Sequence, residues 1–178
     1  MNTEFTEITG EKRGTFARML RESYAGLLEI DPFWECECAG WDLYDQEIFN
    51  QPTTVGACLF LTRIDGAIAG FASWDPRQRP EYGIVGHNCI LPAFRGRGLG
   101  RLQILEVLRR FLVLGVSKAR VSTIDHPFFV PAQRTYTACG FRELRRESWV
   151  RNSGMMKIEY EKKLGQSAAG PGPHMRGA

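Results

Sequence analysis

The sequence predicts an α/β (α+β) domain, a mixed sheet of about seven strands flanked by about four helices. Three observations predict it. Period-two and helical-period segments follow one another in the order β-α-α-β-β-β-α-β-α-β-β. Asp65-Gly66 joins two apolar runs, a strong hairpin signal. Ile84 to Gly115 reads as a strand, a three-glycine turn and a long helix. The chain has 178 residues, enough for one domain with a proper core. Residues 1–164 are expected to form that domain, and residues 165–178 a disordered tail or an appended remnant, because GQSAAGPGPHMRGA has no apolar pattern.

Taken in order, Glu4 to Ile8 is a short first strand. A helix follows with Phe16, Met19, Leu20, Leu27 and Leu28 on one face, and Asp31-Pro32 breaks it. A second helix carries Trp41, Tyr44 and Ile48 on one stripe and closes at Pro52. Ala57–Ile64 and Ala67–Trp74 are the hairpin strands; the second is apolar on both faces and is expected at the sheet centre. The strand Ile84–Ile90 ends at Pro92, which cannot donate to a ladder. The long helix then shows Leu99, Leu102, Leu105, Leu108 and Leu112, with Ile104 and Phe111, as a buried stripe, and places Arg101, Gln103, Glu106, Arg109 and Arg110 mainly opposite. Gly115 is its C-terminal cap. Ala119–Asp125 is a strand, about Val130–Cys139 a short helix, and Phe141–Val150 another strand. Asn152-Ser153-Gly154 turns the chain into a last strand in which Met156, Ile158 and Tyr160 alternate with charged residues.

The central unit points to an anion. In Arg95-Gly96-Arg97-Gly98-Leu99-Gly100 the glycines let the backbone turn tightly and a ligand approach closely. The first turn of a helix offers unpaired N–H groups and the positive end of the dipole, which together suit a phosphate. Arg95, Arg97 and Arg101 add positive charge. The same residues also suit a plain turn that only starts a helix, with solvated arginines. The pattern lacks the Gly-Lys-Ser/Thr of a nucleoside-triphosphate loop and the spacing of a dinucleotide fingerprint.

Composition narrows the classes. Hydrophobic residues are 43% and charged residues 24%, ordinary for a globular protein. A net charge of +3 is too mild to argue for nucleic acid. No apolar run reaches membrane-spanning length, and the N-terminal MNTEFTEITGEKRG has no apolar signal core, so no membrane partner and a cytoplasmic location are expected. Five cysteines are an odd number without framework spacing and read as reduced thiols. Cys36-Glu37-Cys38 lacks a second pair at zinc-type spacing, so no metal is expected.

Two segments carry a resemblance. Ile90-Leu91-Pro92-Ala93-Phe94-Arg95-Gly96-Arg97-Gly98-Leu99-Gly100 resembles the acetyl-CoA motif of the GNAT (GCN5-related) N-acetyltransferase superfamily, whose Arg/Gln-x-x-Gly-x-Gly/Ala core is met by Arg95, Gly98 and Gly100. Downstream, Ala132 to Phe141 resembles the family's A-x-x-x-Y-x-x-x-G-F segment, with Tyr136 at the tyrosine. The resemblance implies a mostly antiparallel twisted sheet and direct transfer of an acetyl group from acetyl-CoA to a primary amine of a small molecule or peptide. It implies that the diphosphate sits on N–H groups from Gly96 through Arg97, Gly98, Leu99 and Gly100 to Arg101, and that the pantetheine arm lies beside Asn88, Cys89 and Ile90. Tyr136 matches the tyrosine that protonates the departing thiolate. Many members carry an asparagine seven residues before that tyrosine; Phe129 stands there in this chain, so the cofactor contact is hydrophobic or shifted.

For the base, His87 on the motif strand, Asp125 at the end of the next strand, Glu81 and a chain of waters are the candidates. The acceptor stays open. Glu35, Glu37, Asp42, Asp45 and Glu47 would suit a cationic acceptor as an acidic wall, or form the solvated face of the second helix. Phe33, Trp34, Trp41 and Tyr44 are placed to meet a substrate or to pack a helical hairpin. Dimerisation is common in the superfamily, so a homodimer is one expected assembly. Two other functions share the scaffold: transfer of a longer acyl group, and non-catalytic acyl-CoA binding.

Overall fold

The computed structural model describes residues 2–149 and 154–165. The tail expected over residues 165–178 lies outside them apart from Gly165, as do the first two residues of the turn at Asn152-Ser153-Gly154.

Seven strands form one sheet in the order β1-β2-β3-β4-β5-β7-β6. They are β1 (Thr3–Thr6), β2 (Leu59–Ile64), β3 (Ala67–Asp75), β4 (Gly83–Ile90), β5 (Lys118–Ile124), β6 (Arg142–Ser148) and β7 (Met156–Lys163). The helices are α1 (Thr15–Ile30), α2 (Glu35–Asn50), α3 (Leu99–Val113) and α4 (Val130–Ala138). Every neighbouring pair is antiparallel except β4 and β5. β3 sits centrally, paired on both sides and buried from Ala69 to Trp74. β6 is an edge strand, and all seven of its residues are exposed. Its arginines and glutamates keep that edge solvated, which blunts pairing with other chains.

Several bounds differ from the sequence expectation. β1 stops at Thr6, where its pairing with Leu61 ends. Residues 56–58 form a 3₁₀ turn before β2. Another 3₁₀ turn at Pro32–Trp34 leads into α2; the Asp31 carboxylate caps it by accepting from the Phe33 N–H.

The buried stripe of α3 is offset from the leucines. Leu99, Gln103, Ile104, Val107, Leu108 and Phe111 face the sheet, while Leu102, Leu105 and Leu112 are exposed. Positions 103, 104, 107, 108 and 111 follow the i, i+3/i+4 repeat that lines one helix face. Weighting the leucines by type turned the expected stripe about one position away. Gln103, expected opposite, is completely buried.

Asp45 corrects a second expectation. It belongs neither to an acidic wall nor to a solvated face. Its carboxylate is buried and accepts from the backbone N–H of Gly14 at 2.6 Å, Phe16 at 2.9 Å and Ala17 at 3.3 Å. Gly14, the N-cap of α1, has no side chain to satisfy the first-turn donors. A residue of α2 therefore caps α1 from 31 positions away and pins the helix pair. Asp45→Ala should lower unfolding free energy by about 2–4 kcal/mol, since a cap is lost and buried N–H groups are orphaned. Asp45→Asn retains an acceptor oxygen and should lose less; chemical denaturation of both variants checks this order.

Candidate active site

The sheet splits where β4 meets β5. Only Gly83–Ala119 and Ile84–Arg120 pair, and from Val85 onward the parallel neighbours diverge. A β-bulge helps the divergence. Ala72 pairs with Asn88 but Trp74 with Val85, so β4 carries one extra residue opposite β3. Ser73 Oγ donates to the His87 carbonyl across this bulge. A Cβ at Gly86 would come within 2.5 Å of that hydroxyl, so a larger residue there would have to displace the Ser73 hydrogen bond.

Two cavities occupy the opening. The first, of about 570 Å³, runs from the glycine turn along β4 to α4. Gly98 caps α3 at φ 76°, and Gly96 lies at φ 74°. A Cβ at Gly98 would meet nothing within 4 Å, so the left-handed backbone and not crowding demands glycine. Leu102 N–H is the first to donate within the helix, to the Gly98 carbonyl, so the N–H groups of Leu99, Gly100 and Arg101 have no intrahelical acceptor. Arg101 also lines this cavity.

Arg95 does something the sequence did not show. Its guanidinium donates to the carbonyls of Ile90 and Ser23, tying the turn to β4 and α1. Arg97 lies over the Phe94 ring, 5.6 Å from its centroid, and donates to the Ala93 carbonyl; it does not line the cavity. Of the three arginines, Arg95 and Arg101 line the cavity and Arg97 does not.

Asn88, Cys89 and Ile90 line the same cavity on β4. Gln103 reaches β4 from α3: its amide donates to Thr62 Oγ1 at 2.8 Å and to the Cys89 carbonyl at 3.3 Å. Gln103 Oε1 is buried and has no partner among the described residues. Gln103 was missed; the signal that could have found it is an amide at position 103 on a face whose other members, 104, 107, 108 and 111, are apolar at the i, i+3/i+4 repeat. The Cys89 thiol is pushed up to about 11 by burial and is not a ready nucleophile.

Tyr136 stands where the cavities meet. It is buried, and its hydroxyl accepts from the Asn88 side-chain amide at 3.4 Å. Burial raises its phenol above the ordinary value, opposed by the Asn88 hydrogen bond.

The second cavity, of about 440 Å³, shares Tyr136 and Asn88 with the first. His87 lines it, with its ring 4.6 Å from that of Tyr44. Surrounding protein lowers the His87 pKa below 6.5 although the ring remains open to the cavity. Asp125 lines neither cavity and pairs with Arg146 at 3.3 Å. Glu81 is exposed in the loop before β4 and lines neither. Asp42 pairs with Arg21 at 2.5 Å, and of the five acidic residues considered for a wall only Glu37 reaches a cavity.

Tyr24, Phe128 and Trp149 were missed. Tyr24 continues the α1 stripe of Leu20 and Leu27, lines both cavities and stacks on Trp41 at 5.2 Å. Trp149 stacks on Trp34 at 4.7 Å and 18°. Phe129 packs against Trp34 and Tyr24 and borders both cavities. Among the described residues no cluster of three or more His, Cys, Asp or Glu is arranged for a metal, and no helix is long and apolar enough to cross a membrane.

Comparison with known proteins fits this geometry. No curated protein sequence matches the chain. A solved structure from Desulfovibrio desulfuricans, described as an acetyltransferase of the GNAT family, superposes with a TM-score of 0.74 at 19% identity, over 92% of this chain and 100% of that one. A structure described as a streptothricin acetyltransferase from Bacillus anthracis, in complex with acetyl coenzyme A, gives 0.54 at 17% identity, over 60% of this chain and 62% of that one. The ribosomal-protein-S18-alanine N-acetyltransferase from Escherichia coli gives 0.53 at 16%, over 65% and 74%. At these identities the superpositions show the fold. The model of the acetyltransferase (GNAT) family matches residues 18–141, well over half of the sequence, and the chain belongs to that family.

Proposed function

We propose that the protein transfers an acetyl group from acetyl-CoA to an amine by direct attack in a ternary complex. The observation that carries this reading is one buried phenol, Tyr136, bordering two adjacent cavities. Two substrates held in one complex need that arrangement. The first cavity fits the acyl donor. It offers the α3 N-terminus to a diphosphate, and the orphaned Gln103 Oε1 is an acceptor for an amide N–H of a pantetheine arm. The streptothricin relative binding acetyl coenzyme A supports the same assignment.

The donor supplies an activated thioester. The amine nitrogen bonds the acetyl carbon as the carbon–sulfur bond breaks; one amine proton leaves, and the thiolate takes one. Tyr136 donates that second proton. Its raised pKa keeps it protonated at neutral pH, and Asn88 fixes its oxygen. His87 accepts the amine proton, directly or through water. Its lowered pKa leaves the imidazole neutral and able to accept at pH 7.

The sign of the pH dependence follows. A base must be unprotonated, so kcat/KM should fall as pH drops through a value below 6.5, and stay flat between that value and neutrality. His87→Gln should remove this acid limb and lower kcat/KM about 10²-fold. An unchanged profile in that variant would take the base role from His87. Release of free thiol from acetyl-CoA against an amine panel tests the function itself; saturable acetyl-CoA affinity without thiol release would make the protein a binder.

A further inference from the structure

The second cavity has a chemistry of its own. Its walls are aromatic: Tyr24, Trp34, Trp41, Phe129 and Trp149. Two stacked pairs hold them, Trp34 on Trp149 at 4.7 Å and Tyr24 on Trp41 at 5.2 Å. Leu27, Val85 and Ile124 close the apolar floor. The charged lining residues are Glu37 and Lys157, and the Lys157 ammonium already lies between Glu147 at 3.3 Å and Glu159 at 3.4 Å.

One polar group stands out. Trp34 is 4% exposed, and its indole Nε1 has no hydrogen-bond partner among the described residues. Buried indole N–H groups normally find an acceptor. This one belongs to a residue that lines the acceptor cavity.

We propose that the acceptor is a monoamine with an aromatic or bulky apolar body and a neutral oxygen that accepts from Trp34 Nε1. The proposal rests on the acetyltransferase reading and deepens it. The aromatic faces take the body of the substrate and favour a cation near them, while Glu37 holds the ammonium before its proton is lost. A polyamine or aminoglycoside needs several carboxylates, and this wall offers one. A free carboxylate on the substrate would need a cation, and Lys157 is shared by two glutamates. At about 440 Å³ the cavity has the size of a small-molecule site.

The test compares three amines with acetyl-CoA: phenylalaninamide, 2-phenylethylamine and spermidine. Phenylalaninamide carries ring, amine and neutral oxygen; 2-phenylethylamine lacks the oxygen; spermidine lacks the ring. For the wild type, kcat/KM should fall in that order, with phenylalaninamide at least about tenfold above spermidine. Trp34→Phe keeps a ring and removes the donor. It should cut the preference for phenylalaninamide over 2-phenylethylamine about tenfold, the scale of one lost buried hydrogen bond. A general packing defect would lower both amines alike and leave that ratio unchanged, which would overturn the role of the indole. Spermidine as the best acceptor would overturn the aromatic class while leaving acetyl transfer intact. Calorimetric titration with acetyl-CoA runs beside these assays: binding with the wrong amine order sinks the acceptor class alone, and absence of binding sinks it together with the acetyltransferase reading.

Discussion

Tyr136→Phe should lower kcat for acetyl transfer by about 10²–10⁴-fold, the range expected when a positioned general acid is removed. The substitution deletes one oxygen from a buried ring that packs near Phe141 and Tyr160. The hydrogen bond it breaks, from Asn88, is long at 3.4 Å, so folding should lose at most about 1 kcal/mol. Acetyl-CoA affinity should stay within about twofold, because the proposed phosphate end of the site lies on α3 and the hydroxyl contributes no charge. Steady-state thiol release and calorimetry separate the two quantities. Wild-type kcat in the variant would remove the acid role and leave protonation of the thiolate to water.

Gly98→Glu should weaken acetyl-CoA binding by about 100-fold or more, roughly 2.7 kcal/mol. Two costs combine. An L-residue held at φ 76° costs about 1–2 kcal/mol. The new carboxylate also brings an anion to the helix N-terminus, where it competes with a phosphate for the same N–H groups and repels it. Space is available for a Cβ, so a clash contributes little. Gly98→Ala isolates the backbone cost and should lose only about tenfold. Binding of acetyl-CoA by Gly98→Glu at wild-type affinity would mean that this turn is structural and that the anion lies elsewhere.

Much of the fold was legible because local signals agreed. Asp65-Gly66 made the β2–β3 hairpin, with Asp65 at φ 47° and Gly66 at φ 85°. Prolines and glycines set the ends of α3 and β4. The glycine turn and Tyr136 stood out in the sequence because each sits in a short local motif, and the structure brings both to the first cavity. What was not legible depends on distance along the chain. Asp45 looks like any acidic residue on a polar helix until α1 is folded against it. Arg95 reads as a phosphate arginine until two carbonyls from β4 and α1 approach it. The aromatic wall joins α1, α2, the start of α4 and the end of β6, and no spacing rule connects them. The exposed leucines of α3 have another cause: their three-residue spacing also traces a helical stripe, and only the approach of the sheet decides which stripe is covered.

The separation of β4 from β5 has a consequence for how the protein stays soluble. A strand edge with open donors and acceptors is a template for adding another strand, which most proteins hide at their periphery. This chain charges its outer margin at β6 and keeps the bare edge indoors, between the aromatic side chains of α1 and the start of α4. In the proposed complex, an extended ligand with amide groups of its own pairs there as a guest strand, where a neighbouring protein's sheet has no room. The same unfinished seam that would make a surface sticky becomes, once internal, a private docking slot.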